Sequence, residues 1–588
     1  DWLAMSTASL TAIVLLNAGS VLAALTPVPP RFHLDVVHVN DMHAHVSGIG
    51  REFAGCEGAT ECYGGFARVL AAARDVIDRD PDHSLFLNGG DNFQGTAFYT
   101  YFKSQVILDF MNPMRFDAVA LGNHEFDDGV SELKKFAQGL NSTIVCGNLD
   151  LSRDPDLLNG TSLTNWTMVE KGGVKIAVVG YITQDTRFSS NPQTVAFVDD
   201  VESVRRWSKE AKSQGAQIVI ALGHSGYVID MKIAREVAEV DLVVGGHSHT
   251  FLYTGTPPDP LDEPSIKGPY PTMVRQDSGK VVPVVQAFKY TKYLGVLRVE
   301  FDDQFNLIEA KGNPILLSPE SPQDQGLLEV LAKWEEELGK KIPVHDVIVT
   351  IEESCRIDDC RFTECEIGNL IADSIVDVGC DSDWACIGLY NGGAIRSGLK
   401  EGNLTSTELL EAMPFGNNLV EVQMNGTCLL EMLEQSVLWY DVSRLWPKGG
   451  FLQVAGLRVV YDVSRPQGQR VVSAEARTAN PNKYKPVIPG ERYNVVTNKF
   501  VYGGGDNFTV FKDHNITANE HPITDYSAVR ETLKHLHHYK PFLDGRIQIV
   551  SAGEATHSAI TCLLPSSHLI IFSLILGSIR VFDRLSLR

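Results

Sequence analysis

Seven side chains that can bind transition metals follow short apolar segments of the sequence. They occur in the motifs NDMH, GDNFQG, GNHEFD, GHS and GGHSHT, and are Asp41, His43, Asp91, Asn123, His224, His247 and His249. A pair of divalent ions about 3.5–4 Å apart needs a bridging carboxylate and several imidazoles, and leaves positions for water and phosphate oxygens. Mixed nitrogen and oxygen donors favour zinc, manganese or cobalt over calcium or magnesium. The motifs therefore predict two divalent metal ions, with zinc as the expected ion and manganese or cobalt as alternatives.

Such a centre would hydrolyse a phosphate ester, because two ions lower the pKa of a bridging water and generate a hydroxide nucleophile. His124 is placed beside Asn123 to stabilise the developing negative charge, and Asp127 can fix its tautomer, so we predict His124 and Asp127 as the catalytic pair. A single Asp or His in this position is more often a cap or a hydrogen-bonding residue. The metal interpretation depends on the fact that such residues occur in five separate motifs, each after an apolar segment. His33 and His45 are not part of this pattern and are interpreted as structural.

The elements that must position these residues are short strands rich in Val, Ile and Leu. Such continuous apolar strands are typical of a sheet that is covered on both faces. Candidate strands are residues 33–39, 84–89, 117–122, 142–147, 174–180, 217–223 and 240–246, and candidate helices are 66–79, 129–140, 201–214 and 229–237. Five of these strands end at a metal motif. Ligands bind at the carboxyl edge of an open α/β sheet. We therefore predict a layered α/β domain over residues 30–323 with the site at that edge.

The rest of the chain predicts a second body. Residues 324–341 have apolar positions at helical spacing and strong charge, which is typical of a solvent-bathed helix joining two domains. Residues 342–550 form a second, α+β domain with strands within 451–462. Residues 254–271 are a Pro-rich loop without periodicity.

Composition limits the partners. The chain has 588 residues and a net charge of −22, so phosphate backbones would repel it and general nucleic-acid binding is disfavoured. The hydrophobic fraction of 44% excludes a disordered polyelectrolyte. A small anionic ligand would need a local cation to hold it.

Both ends of the chain suggest export. Residues 5–24 are interpreted as a signal peptide, with a buried N-terminal helix as the alternative. Residues 551–588 combine a small, polar spacer with an apolar tail, as a lipid (GPI) anchor signal does, while tail-spanning and secreted forms stay open. Seven glycosylation sequons stand at Asn141, Asn159, Asn165, Asn403, Asn425, Asn507 and Asn515.

Cysteine spacing agrees with an oxidising compartment. Cys56 and Cys62, Cys360 and Cys365, and Cys380 and Cys386 are spaced for short disulfide loops. Zinc binding is the alternative, but no matching CxxC or His spacing accompanies these cysteines. The remaining four, Cys146, Cys355, Cys428 and Cys562, cannot be paired from the sequence.

The metal motifs, in this order and with these intervals, resemble the calcineurin-like metallophosphoesterases. The segments CRFTEC, NGGAIRSG, MPFG and GGDNF narrow the resemblance to the 5′-nucleotidases, with animal ecto-5′-nucleotidases and arthropod apyrases most similar, over residues 30–550. The resemblance implies an N-terminal metallophosphoesterase β-sandwich with flanking helices and a C-terminal nucleotide-binding domain. It also implies that the two domains rotate against each other about the helix at 324–341, and that neither is competent alone.

The resemblance assigns roles residue by residue. Asp41, His43, Asp91 and His249 would hold one ion, Asp91, Asn123, His224 and His247 the other, and His124 with Asp127 matches the family's catalytic dyad. For substrate it implies contacts from Asn123, Arg361 and Arg396 to phosphate and ribose, Asn391 to the base, Phe415 and Phe508 as an aromatic clamp, and Asp513 to ribose. Without the resemblance, both phenylalanines would be interpreted as core.

We therefore expect an extracellular 5′-nucleotidase that converts nucleoside 5′-monophosphates, preferably AMP, into nucleoside and phosphate. An apyrase that cleaves ATP and ADP on the same site is the alternative. A non-catalytic nucleotide-binding protein is remote, because all seven metal positions are filled. The resemblance also suggests a homodimer through the C-terminal domain and attachment to the membrane through a C-terminal lipid.

Overall fold

The computed structural model describes residues 32–51, 53, 56, 62–343, 346–355, 357, 359–380, 385–441, 443, 445 and 448–550. The predicted signal peptide at 5–24 and the predicted anchor signal at 551–588 lie outside the described residues. Within the described part, every helix is too short or too polar to cross a bilayer.

Residues 32–343 alternate strands and helices, as the sequence predicted. The strands are β1 (Phe32–Val39), β2 (Ser84–Asn88), β3 (Ala118–Ala120), β4 (Ile144–Val145), β5 (Leu149–Asp150), β6 (Leu163–Thr164), β7 (Trp166–Lys171), β8 (Val174–Ile182), β9 (Ala196–Phe197), β10 (Ile218–His224), β11 (Leu242–Val244), β12 (Phe251–Leu252), β13 (Ile266–Gly268), β14 (Thr272–Arg275), β15 (Val281–Val285), β16 (Tyr293–Phe301), β17 (Leu307–Gly312) and β18 (Ile315–Leu316). The helices are α1 (Phe66–Ile77), α2 (Ala97–Phe102), α3 (Ser104–Met111), α4 (Val130–Gly139), α5 (Thr186–Ser189), α6 (Asp200–Ser213), α7 (Tyr227–Glu236) and α8 (Gln325–Gly339).

These strands form two main sheets. One has the order β17-β16-β1-β2-β3-β4-β6, with β18 also paired to β16, and the other has the order β14-β15-β11-β10-β8-β7. In the first sheet the strands from β1 to β6 pair in parallel, and β16 pairs antiparallel with its neighbours. In the second sheet the inner strands are parallel, and the edge strands β14 and β7 are antiparallel. One hydrophobic core joins Leu85 and Ala120 of the first sheet to Val178 and Ile220 of the second. The sandwich is therefore a two-sheet core with helices such as α1 and α6 packed outside.

The five metal motifs follow strands of both sheets. Strands β1, β2 and β3 belong to one sheet, whereas β10 and β11 belong to the other. The site is therefore built at the carboxyl edge of two stacked sheets, and not at the edge of a single sheet as a simple α/β pattern suggests.

The second body has its own sheets and cores. Its strands are β19 (Val347–Ile351), β20 (Ile387–Asn391), β21 (Gly402–Thr405), β22 (Asn418–Asn425), β23 (Leu452–Ala455), β24 (Leu457–Asp462), β25 (Val471–Arg477), β26 (Tyr484–Pro486), β27 (Arg492–Asn498), β28 (Ala518–Thr524), β29 (His538–Tyr539) and β30 (Ile547–Val550). Its helices are α9 (Glu366–Gly379), α10 (Ser406–Ala412), α11 (Gly426–Ser436), α12 (Lys499–Tyr502), α13 (Val510–Asp513) and α14 (Asp525–Lys534). The sheet orders are β23-β20-β27-β22-β28, β26-β25-β24-β30 and β21-β19-β29.

The apolar segment at 451–462 contains two strands that join different sheets. The chain turns at Gly456, which has a φ of +67°, so β23 pairs with β20 while β24 pairs with β25 and β30. A Cβ at Gly456 would overlap the carbonyl oxygen of Cys386, so only glycine fits this turn.

The charged helix predicted at 324–341 is present as α8, but it is not bathed by solvent on all sides. The side chains of Leu327 and Trp334 are buried. The Trp334 ring lies 4.8 Å from the ring of Phe102, and its indole N–H donates to Asp109 at 3.2 Å. The chain divides into two compact units after Glu337, inside this helix, and Gly95–Thr100 clusters with the second unit. A hinge at α8 stays a prediction.

Disulfides join the three predicted cysteine pairs, Cys56–Cys62, Cys360–Cys365 and Cys380–Cys386. Cys146, Cys355 and Cys428 are buried free thiols, and Cys562 lies outside the described residues. Burial raises the pKa of the Cys355 thiol to about 12, so it stays protonated and unreactive at neutral pH.

Candidate metal centre

Strand ends bring the seven predicted metal residues into one buried cluster. Asp41 and His43 follow β1, Asp91 follows β2, and Asn123 opens a short 3-10 turn after β3. On the other sheet, His224 is the last residue of β10, and His247 and His249 follow β11. The ligand atoms form overlapping groups within which all atoms lie within 4.8 Å of one another.

The first group consists of Asp41, His43 and His249. The Nε2 atoms of the two imidazoles are 3.1 Å apart, and His249 Nε2 is 3.2 Å from Asp41 Oδ1. Imidazole nitrogens and a carboxylate oxygen that converge in this way are a donor set for a transition ion.

The second group consists of Asp91, His224 and His247, with Asn123 beside them. Asp91 Oδ2 is 2.9 Å from His224 Nε2, and Asn123 Oδ1 is 2.9 Å from His247 Nδ1. Asp91 Oδ2 is also 3.6 Å from Nε2 of His43, a residue of the first group. The Asp91 carboxylate therefore lies between the groups, where a bridging ligand for two ions is required.

Contacts through Nδ1 orient the rings of two histidines so that their Nε2 atoms face the cluster. His224 donates its Nδ1 proton to the carbonyl of Gly89 at 2.7 Å, and its buried Nε2 faces the Asp91 carboxylate at 2.9 Å. His43 Nδ1 faces the carbonyl of Phe93 at 3.2 Å. Because the tautomer of a metal-bound histidine is fixed in this way, the residues present fit a pair of divalent ions.

The buried carboxylates create a negative field at the centre. Burial alone would raise the pKa of Asp41, but the imidazoles of His249 and His224 hold it below its ordinary value. Burial would likewise lower the pKa of His224, but the carboxylates of Asp91 and Asp41 raise it to about 10. Positive charge is therefore stabilised at this site, and a divalent cation supplies it more effectively than a proton.

Five of the seven residues have left-handed backbone conformations that non-glycine residues rarely adopt. Their φ angles are 50° at Asp41, 46° at His43, 55° at Asp91, 75° at His247 and 51° at His249. Each such conformation costs about 1–3 kcal/mol and persists where the surroundings impose it. The neighbouring Gly122 permits a close approach, because a Cβ there would overlap the carboxylate of Asp91.

The predicted catalytic pair is assembled at the edge of the cluster. His124 Nδ1 is 2.6 Å from Asp127 Oδ2, and the other oxygen of Asp127 accepts a hydrogen bond from Ser190 Oγ at 2.6 Å. The carboxylate thus favours an Nδ1 proton on His124, whose Nε2 lies 4.0 Å from Asp91 Oδ2. The imidazole presents its second nitrogen toward the metal residues.

Sequence reasoning missed Glu125, which ties two of the strand ends together. Its buried carboxylate accepts the backbone N–H groups of Asp91 at 3.1 Å, Asn92 at 2.7 Å and Gly122 at 2.6 Å. The available signal was a Glu three residues after Gly122, the last residue of the predicted strand 117–122, which is the spacing at which Glu caps backbone donors.

Gln286 is a second missed residue, at the end of β15. Its side chain donates to Asp230 at 2.7 Å and to the carbonyl of Gly246 at 3.0 Å, and accepts the N–H of Thr250 at 3.0 Å. It thereby holds both sides of the loop that carries His247 and His249. A polar residue after a sixth strand end was the signal in the sequence.

In the second unit, Arg396 lies near the Phe415 ring, and Asn391 contacts Asp506. Asn391, at the end of β20, donates to Asp506 at 2.7 Å. Arg396 is buried, donates its backbone N–H to the carbonyl of Ala412, and has its guanidinium carbon 6.0 Å from the centre of the Phe415 ring. Asp506 was not predicted, and its φ of 51° places it in a strained turn.

The other predicted substrate residues differ in their surroundings. Phe508 is 1% exposed and packs in a hydrophobic core. This is the position expected for the ring if the family resemblance is left aside. Asp513 is exposed at the end of α13, and Arg361 is half-buried in the loop closed by Cys360 and Cys365. Their contacts with a substrate stay predictions.

Comparisons with known proteins agree with this arrangement. Residues 34–251 match the model of the calcineurin-like phosphoesterase family, and residues 347–513 match that of the 5′-nucleotidase C-terminal domain. The chain is 35% identical to 5′-nucleotidase of Homo sapiens over 586 residues, which covers 96% of this chain and 98% of the relative. It is 35% identical to an apyrase of Tabanus yao, with 83% and 90% covered.

A solved structure extends the comparison to the fold. The 5′-nucleotidase precursor of Thermus thermophilus superimposes with a TM-score of 0.81 and 36% sequence identity, covering 88% of this chain and 99% of the other.

Proposed function

The chain belongs to the 5′-nucleotidase family of calcineurin-like phosphoesterases, and from this premise we propose that it hydrolyses nucleoside 5′-monophosphates outside the cell, with AMP preferred. Membership makes it a metal-dependent phosphoesterase. The observation that carries the proposal is the position of Asp91 between two groups of metal-binding side chains. We further propose zinc as the resident ion, because the donor set mixes imidazoles with carboxylates.

The side chains of the first unit would hold the ions and handle charge at phosphorus. Asp41, His43 and His249 would hold one ion, His224, His247 and Asn123 would hold the other, and Asp91 could contact both. When bound, the ions supply an activated water and neutralise phosphoryl oxygens. His124 would act as an imidazolium that Asp127 stabilises: its Nδ1–H stays bonded to Asp127, while its Nε2–H would stabilise developing negative charge and hand its proton to the leaving oxygen.

The side chains of the second unit would recognise the nucleotide. The Arg396 guanidinium can make charge-assisted hydrogen bonds to phosphate or ribose. Phe415 beside it can stack on a base, which contributes about 1–3 kcal/mol. Asn391 offers amide groups that match the edge of a base. These assignments support a nucleotide as the substrate.

The test is phosphate release from AMP, ADP and ATP by the purified protein, before and after treatment with a chelator. We expect the highest kcat/KM for AMP, loss of activity on chelation, and recovery when zinc is returned. Activity that survives complete metal removal would overturn the metal centre. Recovery with manganese or cobalt but not with zinc would overturn the choice of ion.

The second candidate function is an apyrase. The similarity to the Tabanus yao apyrase is as high as that to the human 5′-nucleotidase, so the family alone does not decide between them. A kcat/KM for ATP or ADP above that for AMP in the same assay would establish the apyrase and exclude an AMP-preferring enzyme.

Two features support the proposed extracellular location. Three disulfides are present, and disulfides persist mainly in oxidising compartments. Five of the sequon asparagines are exposed, namely Asn141, Asn159, Asn403, Asn425 and Asn515. Expression in animal cells should yield a glycosylated protein on the surface or in the medium. An unglycosylated protein retained in the cytosol would contradict the proposal.

We also propose a C-terminal lipid anchor and a homodimer through the second domain. Release of the protein from cell membranes by a phosphatidylinositol-specific phospholipase would support the anchor, and release without the enzyme would contradict it. Light scattering of the purified protein gives the mass, and the mass of a single chain would overturn the dimer.

A further inference from the structure

A second cluster of metal-binding side chains lies at the amino ends of β1 and β2. It consists of His33 on β1 and of Asp80 and His83 in the turn that leads into β2. Asp80 Oδ2 is 2.8 Å from His33 Nε2, and Asp80 Oδ1 is 2.9 Å from His83 Nδ1. The ligand atoms of the three residues lie within 4.8 Å of one another. His33 is therefore not the isolated structural histidine that the sequence suggested.

The surrounding structure holds these side chains in place. The rings of His33 and His83 stack with their centres 4.5 Å apart, and Phe32 packs against His83 at 5.6 Å. The N–H of His83 and the hydroxyl of Ser84 both donate to the carbonyl of Asp80, at 3.1 and 2.7 Å. The donors are thus fixed by a hydrogen-bonded turn and by ring stacking, which lowers the entropy lost on binding an ion.

We propose that His33, Asp80 and His83 form a zinc site that is separate from the catalytic centre. Zinc with ligand bonds of about 2.0–2.1 Å in a tetrahedron separates its ligand atoms by about 3.3 Å. The present distances of 2.8 and 2.9 Å would open by about 0.5 Å, within the reach of a side-chain rotation. Side chains that are 30–36% exposed admit the ion and leave its fourth position to water.

The charges of the cluster suit a transition ion. Hydrogen bonds from His83 and His33 lower the pKa of Asp80, so the carboxylate is ionised at neutral pH. Two of the three donors are imidazole nitrogens, which zinc accepts and calcium or magnesium disfavours. An ion would replace the two hydrogen bonds to Asp80, and each imidazole would move its proton to its other ring nitrogen so that the nitrogen facing Asp80 offers a lone pair.

The position of the cluster predicts what the ion would do. The catalytic residues follow the carboxyl end of β1, whereas His33 is near its amino end, about 20 Å away along the strand. An ion at this distance does not act on the substrate. It would cross-link β1 to the turn before β2 and stabilise the folded state by binding only to that state.

The experiment is a zinc count on the intact, metal-loaded protein after equilibration at a fixed free zinc concentration. His83→Ala should hold one zinc ion fewer than the unchanged protein, while kcat for AMP stays the same. The third ion should bind at least about 10-fold more weakly in this variant. His535→Ala, which removes a histidine outside the cluster, serves as the control and should retain the full count.

Asp80→Asn and His33→Gln test the same site with smaller changes, and kcat shows that each variant is folded. Adding zinc beyond the catalytic requirement should raise the Tm of the unchanged protein but not of these variants. Equal zinc counts in the unchanged protein and all three cluster variants would overturn the proposal. Since the measured quantity is a difference of one ion, it holds whatever the catalytic centre binds.

Discussion

At the scale of single residues, His124 is the side chain whose removal should separate metal binding from chemistry. Its Nδ1 lies 2.6 Å from Asp127, and its Nε2 lies 4.0 Å from the Asp91 carboxylate. His124→Ala should therefore keep its metal content and lose about 10²–10⁴-fold in kcat. Metal analysis and steady-state kinetics on the same sample check this, and near-normal turnover would remove His124 from the mechanism.

Unlike His124, Glu125 should affect metal binding, because it positions the residues that bind the ions. Its Oε2 accepts the N–H groups of Asp91 and Gly122 and its Oε1 accepts that of Asn92, whereas an amide can accept with only one oxygen. Glu125→Gln should therefore weaken metal affinity by about 10–100-fold, as loss of a supporting hydrogen bond does. A chelator titration measures this, with activity restored at high zinc.

Glu132→Gln is the matched control for that change. Glu132 is also buried and accepts the N–H and hydroxyl of Ser104, at 3.1 and 2.5 Å, but it lies on α4 away from the metal residues. The Glu132→Gln substitution should lower the stability of the fold but leave the metal affinity measured by chelator titration unchanged. Equal effects of the two substitutions on metal affinity would show that Glu125 has no special role.

The residues that make the metal cluster were predictable from their types and their place after strands. All seven lie together, because each motif sits where the chain must turn. The supporting residues were not predicted, since Glu125 and Gln286 act through backbone groups that a sequence does not place. The His33 cluster was missed for a related reason, as its partners come from a turn 47 residues away.

At the scale of elements, hydrophobic runs predicted where strands lie but not which sheet they join. Strands β1 and β10 both read as buried parallel strands, although they belong to different sheets. The run at 451–462 divides at Gly456, whose left-handed φ only the surrounding structure reveals. Strand pairing depends on contacts between distant segments, and the local pattern carries no information about them.

The Pro-rich loop at 254–271 shows how a segment without periodicity can still be firmly attached. Buried Lys292 donates to Asp259 at 3.2 Å and to Asp262 at 2.8 Å, and Tyr293 donates to the other oxygen of Asp262 at 2.7 Å. These contacts connect the loop to Tyr293, the first residue of β16, and to Lys292 directly before it. The sequence shows the charges but not their burial.

Lys292→Met should destabilise the protein by about 3–5 kcal/mol, because it leaves two buried carboxylates without their shared cation. The control is Lys311→Met, which removes an exposed partner of Glu309 and should change stability by about 0.5 kcal/mol or less. Urea unfolding measures both free energies. A small change for Lys292→Met would mean that Arg51 alone neutralises the carboxylates.

At the scale of the whole molecule, charge sets the requirement for metal. A chain with a net charge of −22 repels a phosphate monoester, and the metal residues add further carboxylates at the site. Cations must therefore be present before an anionic substrate can bind. The metal residues belong to the first unit, whereas Asn391, Arg396 and Phe415, which we propose recognise the nucleotide, belong to the second.

This division predicts that a change in the second unit alters the use of nucleotides without altering the metals. Arg396→Ala should lower kcat/KM for AMP roughly 10- to 100-fold, the effect of losing a charge-assisted hydrogen bond from the guanidinium to the ribose. Metal content and the hydrolysis of p-nitrophenyl phosphate, which has no nucleoside, should stay nearly unchanged. Arg530→Ala, in the same unit but paired with Asp346 at the surface, is the control and should leave kcat/KM unchanged. A parallel loss on both substrates after Arg396→Ala would place this arginine in phosphate chemistry, and no loss on either would remove it from the site.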